Sequence, residues 1–331
     1  YESGVASWDA TGTQITDSAN SDNTALAAYL GTDAIDSTQV TATSVADYTF
    51  FVNKDKVVAK DTSTPSFVRP YEALFYMKIM NYGKVYRWWV LRDDDPLTAT
   101  DDTWLGIYGQ GETRDGTGND ANLEVQGLRT GSYFDITADN AGVSGSVLAN
   151  KTWIDSRNVR NDILAEKGLT KNRDTGDPFC VIETTDANAA DFKIKVEDNN
   201  GGNDLFGFKD KCKNFISLPE YCVEGFTIQV NGDNQKKEDD FYVTYEGANT
   251  AGTWKECAAP SRPNIPVYHE FDTTTMPHTL SQNADLSFTF GTSTWDERKC
   301  GDDDTNPFPS FVGSKINSVF FHRNRLGFLS D

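Results

Sequence analysis

The sequence has little of the chemistry on which most enzymes and metalloproteins depend. Its 331 residues include 5 Cys and 3 His, without a C-x-x-C pair or a spacing typical of metal ligands. The P-loop, the G-x-S-x-G nucleophile elbow and the G-x-G-x-x-G fingerprint are also absent. We therefore expect a protein that is not an enzyme and has no cofactor. A glycosidase-like carboxylate pair stays open, because such pairs meet only in three dimensions.

Long apolar runs are missing too. No stretch of 18 or more apolar residues predicts a membrane span, and no signal peptide begins the chain. The first residues start within an alternating pattern and Asp331 directly follows a predicted strand, which favours a fragment of a longer protein. The sparse, odd-numbered cysteines favour reduced thiols in a protein assembled in the cytosol, and a Cys212–Cys222 disulfide is the less favoured alternative.

Basic residues are outnumbered by acidic ones. There are 50 acidic and 30 basic side chains, which gives a net charge of −20. A surface of this sign repels phosphate, so general nucleic-acid binding is not expected. The same acidity also keeps a large assembly soluble, and composition alone does not separate these roles.

Aromatic residues make up 12% of the chain, and there are 26 glycines. This composition is typical of a β-rich chain with many turns. Residues 47–61 and 317–331 align without a gap at a shift of 270 positions. Each has an apolar run containing Phe-Phe, a polar basic turn and a second apolar run, which predicts a β-hairpin. Recurring hairpins are typical of propeller blades, although two unrelated hairpins can also look alike. Another hairpin is predicted over residues 74–91.

We predict a mainly β fold, with a propeller-like β-hairpin framework that is incomplete in this fragment and carries an inserted small α+β module. The framework covers residues 1–108 and 234–331. Residues 109–150, rich in Gly, Asp, Asn and Thr, predict an insertion. Residues 151–233 form the predicted α+β module.

The module is predicted to begin with a helix over residues 155–169. Asp155 is a plausible N-cap and Gly168 supplies the stop signal. Strands are expected at residues 179–184, 192–196 and 226–230. A hairpin over residues 240–256 returns the chain to the framework.

The segment that begins at Asp302 has the D-x-D-x-N opening of a calcium loop. Pro307 stands where that loop needs its turn glycine and Gly313 where it needs a bidentate Glu, so we expect no metal. We predict instead an Asx-type turn in which Asp304 and Asn306 bond backbone amides, and in which the prolines hold the chain extended. The predicted structural motif consists of Asp304, Asn306, Pro307, Pro309, Ser310, Phe311 and Gly313.

A basic cluster at residues 322–325 stands out on this acidic chain. Such a cluster predicts a solvated hairpin turn or a donor of salt bridges to another subunit. Candidate contacts with a subunit or partner are Arg323, Asn324 and Arg325. Contact with DNA is the less favoured alternative.

Several short motifs together carry a family resemblance. They are residues 276–280, 300–302, 304–307, 309–313, 316–317, 319–321 and 323–330, with 45–50 and 52–53 upstream. These motifs resemble the tail tubular protein B family, the tail nozzles of short-tailed podoviruses. The resemblance is strong over residues 276–330, good over 45–60 and weak elsewhere, and only a portion of the longer family members is represented.

The resemblance implies a structural virion protein at the distal tail, assembled in the cytoplasm of a bacterial host. It implies a homo-hexamer that conducts double-stranded DNA through its lumen without specific binding, and no membrane span. Implied partners are the adaptor ring of tail tubular protein A and a tail fibre or tailspike protein, with residues 151–233 as the candidate fibre-docking module. Alternatives are a receptor- or glycan-binding β-propeller module and a tail-associated polysaccharide hydrolase.

Overall fold

A computed structural model gives the fold of the chain. It describes residues 7–8, 14–15, 28–30, 38–78, 85–91, 104–109, 164–165, 168–172, 179–198, 200–232, 236–248, 251–284 and 288–330. Most of the predicted insertion at residues 109–150 lies outside this part. Residues 28–30 and 164–165 are helical, and short 3₁₀ turns occupy Ala187–Ala189, Phe215–Ser217 and Lys237–Asp239.

Strands dominate the described residues, which confirms the predicted mainly β class. In chain order they are β1 (Ser7–Trp8), β2 (Gln14–Ile15), β3 (Val40–Val45), β4 (Tyr48–Asn53), β5 (Tyr71–Met77), β6 (Val85–Leu91), β7 (Trp104–Gly109), β8 (Thr170–Lys171), β9 (Phe179–Thr184), β10 (Lys193–Glu197), β11 (Leu205–Lys209), β12 (Lys211–Cys212), β13 (Thr227–Val230), β14 (Phe241–Glu246), β15 (Thr253–Cys257), β16 (His278–Gln282), β17 (Phe288–Thr292), β18 (Ile316–His322) and β19 (Arg325–Ser330). The strands expected at residues 179–184, 192–196 and 226–230 correspond to β9, β10 and β13.

The chain divides into two compact units. The first unit comprises Tyr1–Ser66 and Tyr268–Asp331, and the second unit comprises Phe67–Val267. These boundaries do not coincide with those predicted at residues 108, 150 and 233. Strands β5 and β9, which were assigned to framework and module respectively, are hydrogen-bonded neighbours in one sheet.

An eight-stranded sheet forms the centre of the second unit, in the order β15-β14-β13-β12-β11-β5-β9-β8. Six of the seven residues of β5 are buried. Because side chains alternate across a strand, Ala73, Phe75 and Met77 enter one apolar core while Leu74 enters the other. The sheet is therefore buried on both faces around β5.

A second, three-stranded sheet in the order β10-β6-β7 covers one of those faces. Val90 of β6 and Ile194 and Val196 of β10 pack into the same core as Phe75. The approach is close at Gly207, where an added Cβ would lie 2.8 Å from a Val196 methyl carbon. A larger residue at position 207 would therefore push the two sheets apart.

The end of the predicted helix is as expected at Gly168, which has φ +72°. The Gly168 amide donates to the Ala165 carbonyl (3.1 Å) and the Leu169 amide donates to the Leu164 carbonyl (2.8 Å), the paired bonds of a Schellman stop. Leu164 and Leu169 are both buried in the core described above. The preceding residues 155–163 lie outside the described part.

A buried carboxylate lies beside the eight-stranded sheet. Glu72 is 1% exposed and contacts Arg69 at 2.8 Å and Arg262 at 3.3 Å. The Thr227 amide donates to the same carboxylate at 3.3 Å. Burial raises the pKa of Glu72, and the two guanidinium groups oppose that rise.

The first unit contains a four-stranded sheet in the order β17-β16-β4-β3 and the separate hairpin β18-β19. Val52 of β4 shares an apolar core with Val58, Met276 and the hairpin residues Ile316 and Val319. Phe51, the preceding residue on β4, points to the opposite face and packs with Tyr29 and Phe290. Because successive side chains of a strand point to opposite faces, one face of this sheet packs against the β18-β19 hairpin.

Two of the predicted hairpins are wrong in their pairing. Strand β4 pairs with the preceding strand β3, and residues 57–60 form only isolated bridges to Lys315, Val312 and Phe271. Strands β5 and β6 belong to different sheets, so residues 74–91 are not a hairpin either. The C-terminal hairpin and the pairing of β14 with β15 are confirmed. The propeller arrangement stays a prediction.

The Tyr29 face of the first unit contains a buried histidine. His278 is 3% exposed and stacks on Tyr29, with ring centroids 3.9 Å apart, and on Phe290 at 5.5 Å. Its Nδ1 lies 3.0 Å from the Met276 carbonyl oxygen and donates to it. Burial lowers the pKa of His278 and raises the pKa of Tyr29 to about 12, so both rings are neutral at pH 7.

Replacing Glu72 by Gln should destabilise the second unit by about 3 kcal/mol. The amide keeps the shape of the side chain but leaves two poorly exposed guanidinium groups without their counter-charge. Urea unfolding measures the loss, with Glu256→Gln on an exposed position as the matched control. Equal unfolding free energies for the two variants would contradict the role of the buried ion pair.

The first unit should lose stability as the pH falls below about 6.5, the ordinary pKa of histidine. The unfolded chain then binds a proton at residue 278 that the folded chain resists, because the folded pKa is lowered. His278→Phe should flatten the unfolding free energy between pH 7.5 and 5.5, whereas His322→Asn, at an exposed histidine, should not. A steep dependence that survives in His278→Phe would refute this assignment.

Candidate functional site

The acidic turn at residues 300–306 is built around Asp302. Its Oδ1 accepts hydrogen bonds from the backbone amides of Asp304 and Thr305, both at 2.9 Å, and from the Thr305 hydroxyl at 3.1 Å. The Asp302 amide donates back to the Thr305 hydroxyl at 3.0 Å. The turn is therefore closed by reciprocal bonds between Asp302 and Thr305.

The carboxylate that closes the turn belongs to Asp302, which is not among the residues of the predicted motif. The Asn306 side chain acts as a donor, with its Nδ2 2.9 Å from the Cys300 carbonyl oxygen. Gly301 has φ +71°, and a Cβ there would lie 2.5 Å from the Thr305 hydroxyl. Only glycine fits at position 301, and this requirement places the turn at Asp302.

Asp303 points to the other side and joins two cations. Its carboxylate oxygens lie 2.6 Å from Lys60 Nζ and 2.6 Å from Arg298 Nη2. Both cations also lie over the Phe308 ring, at 4.8 Å and 4.4 Å from its centroid. Partial burial alone raises the pKa of Asp303, but the hydrogen bonds from Lys60 and Arg298 outweigh it and leave the pKa below its usual value.

A row of aromatic rings connects this cluster to the C-terminal hairpin. Phe308 meets Phe271 at 5.4 Å, Phe271 meets Phe311 at 6.1 Å, and Phe311 meets Phe328 on β19 at 5.6 Å. Trp295 completes the row at 5.8 Å from Phe328. The predicted motif residue Phe311 therefore lies in the middle of an aromatic path, as a packing residue.

The proline-containing segment lies between two turns. Residues 307–309 have no regular structure, and the Val312 amide then donates to the Pro309 carbonyl at 3.0 Å, which places Ser310 and Phe311 in a turn. The Gly313 amide donates to the Val58 carbonyl at 2.8 Å, and Gly313 has φ +87°. These contacts give the predicted motif a structural role in joining the N- and C-terminal parts of the first unit.

The basic cluster forms the turn of the β18-β19 hairpin, as predicted. Arg323 and Asn324 have φ values of +49° and +60°, and positive values at both positions are what a type I′ turn requires. His322 and Arg325 face each other directly across the first strand pair. All four side chains are exposed, and within the described part of the chain Arg323 and Arg325 form no ion pair.

The same hairpin exposes apolar side chains. Phe320 is 46% exposed and its ring lies over Gly327 on the facing strand, where an added Cβ would be 2.3 Å from the ring. Leu329 is 55% exposed and lies on the same outer face, two pairs from Phe320 by register and pleat. The outer face thus combines an apolar base with a cationic tip.

Sequence reasoning missed Lys60, Arg298 and the aromatic partner Phe271. Lys60 lies 243 residues from Asp303 and Arg298 lies 5 residues from it, so no local spacing relates all of them. The one local signal was Phe308, an aromatic residue held between two prolines. Among the described residues, no helix combines the length and the apolar character that crossing a bilayer requires.

Comparison with known proteins agrees with the motifs described above. A family model described as bacteriophage nozzle protein matches residues 1–331. The chain is also 42% identical over 118 residues to the tail tubular protein gp12 of Escherichia phage T7, and this match covers 36% of the chain and 14% of that relative. The match over its whole length shows that the chain belongs to the bacteriophage nozzle protein family.

Proposed function

We propose that the protein forms a homo-hexameric nozzle at the distal end of the tail and conducts double-stranded DNA during genome ejection. Its family makes it a structural component of the phage tail. The six-fold state, the conduit, the distal position, assembly in the host cytoplasm and the absence of enzymatic activity belong to the proposal.

The net charge of −20 is the observation that supports a conduit. DNA carries one negative charge per about 1.7 Å of its axis, and each phosphate neutralised by a cation adds affinity that does not depend on sequence. A wall that collected cations would hold the passing DNA. A wall that repels phosphate lets the DNA slide, so we assign the acidic excess to the lumen.

The basic hairpin tip is proposed as a contact between subunits. Arg323 and Arg325 lie on an acidic chain without internal ion-pair partners in the described residues, and Asn324 shapes the turn between them. Acidic neighbours repel each other unless one of the facing surfaces supplies cations. A hairpin that extends its cationic tip toward the next copy supplies those cations.

Two further partners complete the proposal. The nozzle would bind the adaptor ring of tail tubular protein A on one side, and residues 151–233 would help to anchor a tail fibre or tailspike. The described strands of this region are edge and central strands of the second unit, including β8 through β13. We infer that these strands supply the base on which the fibre docks.

Cryo-microscopy of the tail assembled with its adaptor ring tests the function. We expect six copies around a channel in which carboxylates outnumber cations along the wall. A uniformly basic channel would overturn the conduit argument. A monomer that binds glycan would favour a receptor-binding module instead, and polysaccharide turnover abolished by one Asp or Glu substitution would favour a hydrolase.

Removing the charge of the hairpin tip should weaken the ring without unfolding the hairpin. The double variant Arg323→Asn/Asn324→Gly keeps a favourable type I′ turn while it loses one cation. We expect its rings to dissociate at a concentration several-fold higher, as measured by sedimentation velocity. Asn324→Gly alone keeps both arginines and serves as the control, and equal ring stability in the two variants would argue against the contact.

A further inference from the structure

A second protruding surface, on the second unit, combines free cations with exposed apolar side chains. It consists of Lys211, Lys213, Phe215 and Ile216, and we refer to it as the Lys-Phe-Ile loop. Ile216 is 92% exposed and Phe215 is 45% exposed. The two lysines are exposed on either side of buried Cys212. Neither lysine forms an ion pair within the described part of the chain.

The loop is held in place at both ends. Cys212 is 5% exposed and Cys222 is fully buried, and both belong to the same apolar core. The Asn231 amide donates to the Cys212 carbonyl at 2.9 Å, and the Trp254 indole donates to the Pro219 carbonyl at 2.8 Å. The protrusion of Ile216 is thus fixed by the surrounding core.

The local backbone keeps the apolar side chains outside. Phe215–Ser217 form a 3₁₀ turn, in which the Ser217 amide donates to the Asn214 carbonyl at 3.1 Å and the Leu218 amide to the Phe215 carbonyl at 3.0 Å. Leu218 is the residue that packs back against the core. A large aliphatic side chain that is almost fully exposed on a hydrogen-bonded backbone offers apolar area to a partner at a low cost in backbone ordering.

We propose that the Lys-Phe-Ile loop is a contact between copies of this chain, and that it docks on a carboxylate-bearing patch of the neighbouring copy outside the lumen. This inference rests on the proposed ring and names one of its surfaces. A rotational ring joins two different patches of each subunit, so a cationic apolar patch must meet a different, complementary one. The 50 acidic side chains of a second copy are enough to supply carboxylates both to the lumen and to such a patch.

The same charge disfavours the other obvious occupant. Lysines beside exposed Phe and Ile side chains also suit an anionic bilayer, where each lysine contributes attraction near the surface. An anionic bilayer carries one sign throughout and repels the rest of this chain, whereas a second copy also has 30 basic side chains. Charge complementarity therefore selects the protein partner.

Two substitutions with matched controls test the proposal on the assembled ring. Ile216→Ser removes the apolar anchor, and Ile265→Ser, at a position that is 56% exposed, is its control. Lys213→Glu reverses one cation, and Lys236→Glu, at another exposed lysine, is its control. Sedimentation velocity over a range of concentrations at 0.15 M NaCl gives the concentration at which rings dissociate, and circular dichroism verifies the fold.

We expect Ile216→Ser and Lys213→Glu each to raise that concentration about tenfold or more, with both controls within about twofold of the unmodified chain. High salt should reduce the change in dissociation concentration caused by Lys213→Glu but not the change caused by Ile216→Ser, because screening acts on charge.

If neither substitution changes the concentration at which the rings dissociate, the inference is wrong and the proposed nozzle function is unaffected. Absence of rings in the unmodified chain would overturn the function and the inference together. Rings unaffected while Ile216→Ser abolishes binding to phosphatidylglycerol vesicles would assign the loop to a membrane.

Discussion

The second unit depends on one constraint, the burial of strand β5 on both faces. Its side chains alternate between two apolar cores, so every neighbouring strand must present apolar residues to the same two sides. Strand β9 does this with Cys180 and Ile182 on one side and Val181 on the other. The covering sheet can approach only because Gly207 lacks a side chain at the closest point. Burial also explains why Glu72, at the start of β5, needs two arginines beside it.

The same constraint decides what could be predicted from the sequence. Strands with one apolar face and a short turn, such as β14 with β15 and β18 with β19, were predicted with their partners because both strands lie close in the chain. Strand β5 is apolar on both faces, so its pattern carries no information about which strand pairs with it. Its partners β9 and β11 lie more than 100 residues away, and the nearest apolar run, β6, belongs to a different sheet.

The acidic turn illustrates a similar limit on a smaller scale. Three consecutive aspartates offer three possible acceptors, and their spacing to the prolines does not distinguish them. The choice falls on Asp302 because Gly301 precedes it with a positive φ and Thr305 follows at the distance that allows a reciprocal bond. Asp303 is then turned outward to Lys60 and Arg298, a pairing that depends on a chain segment 243 residues away. The sequence predicts that this segment forms a turn. Which aspartate closes the turn and which one binds the two cations depends on the fold.

The distribution of cations connects the fold to the proposed assembly. Arg69, Arg262, Lys60 and Arg298 are bound to carboxylates of their own unit and stabilise it. The cations of the hairpin tip and of the Lys-Phe-Ile loop have no such partners in the described residues, and both groups lie beside exposed apolar side chains. Exposed cations without ion-pair partners among the described residues are what an acidic subunit needs in order to hold an equally acidic neighbour.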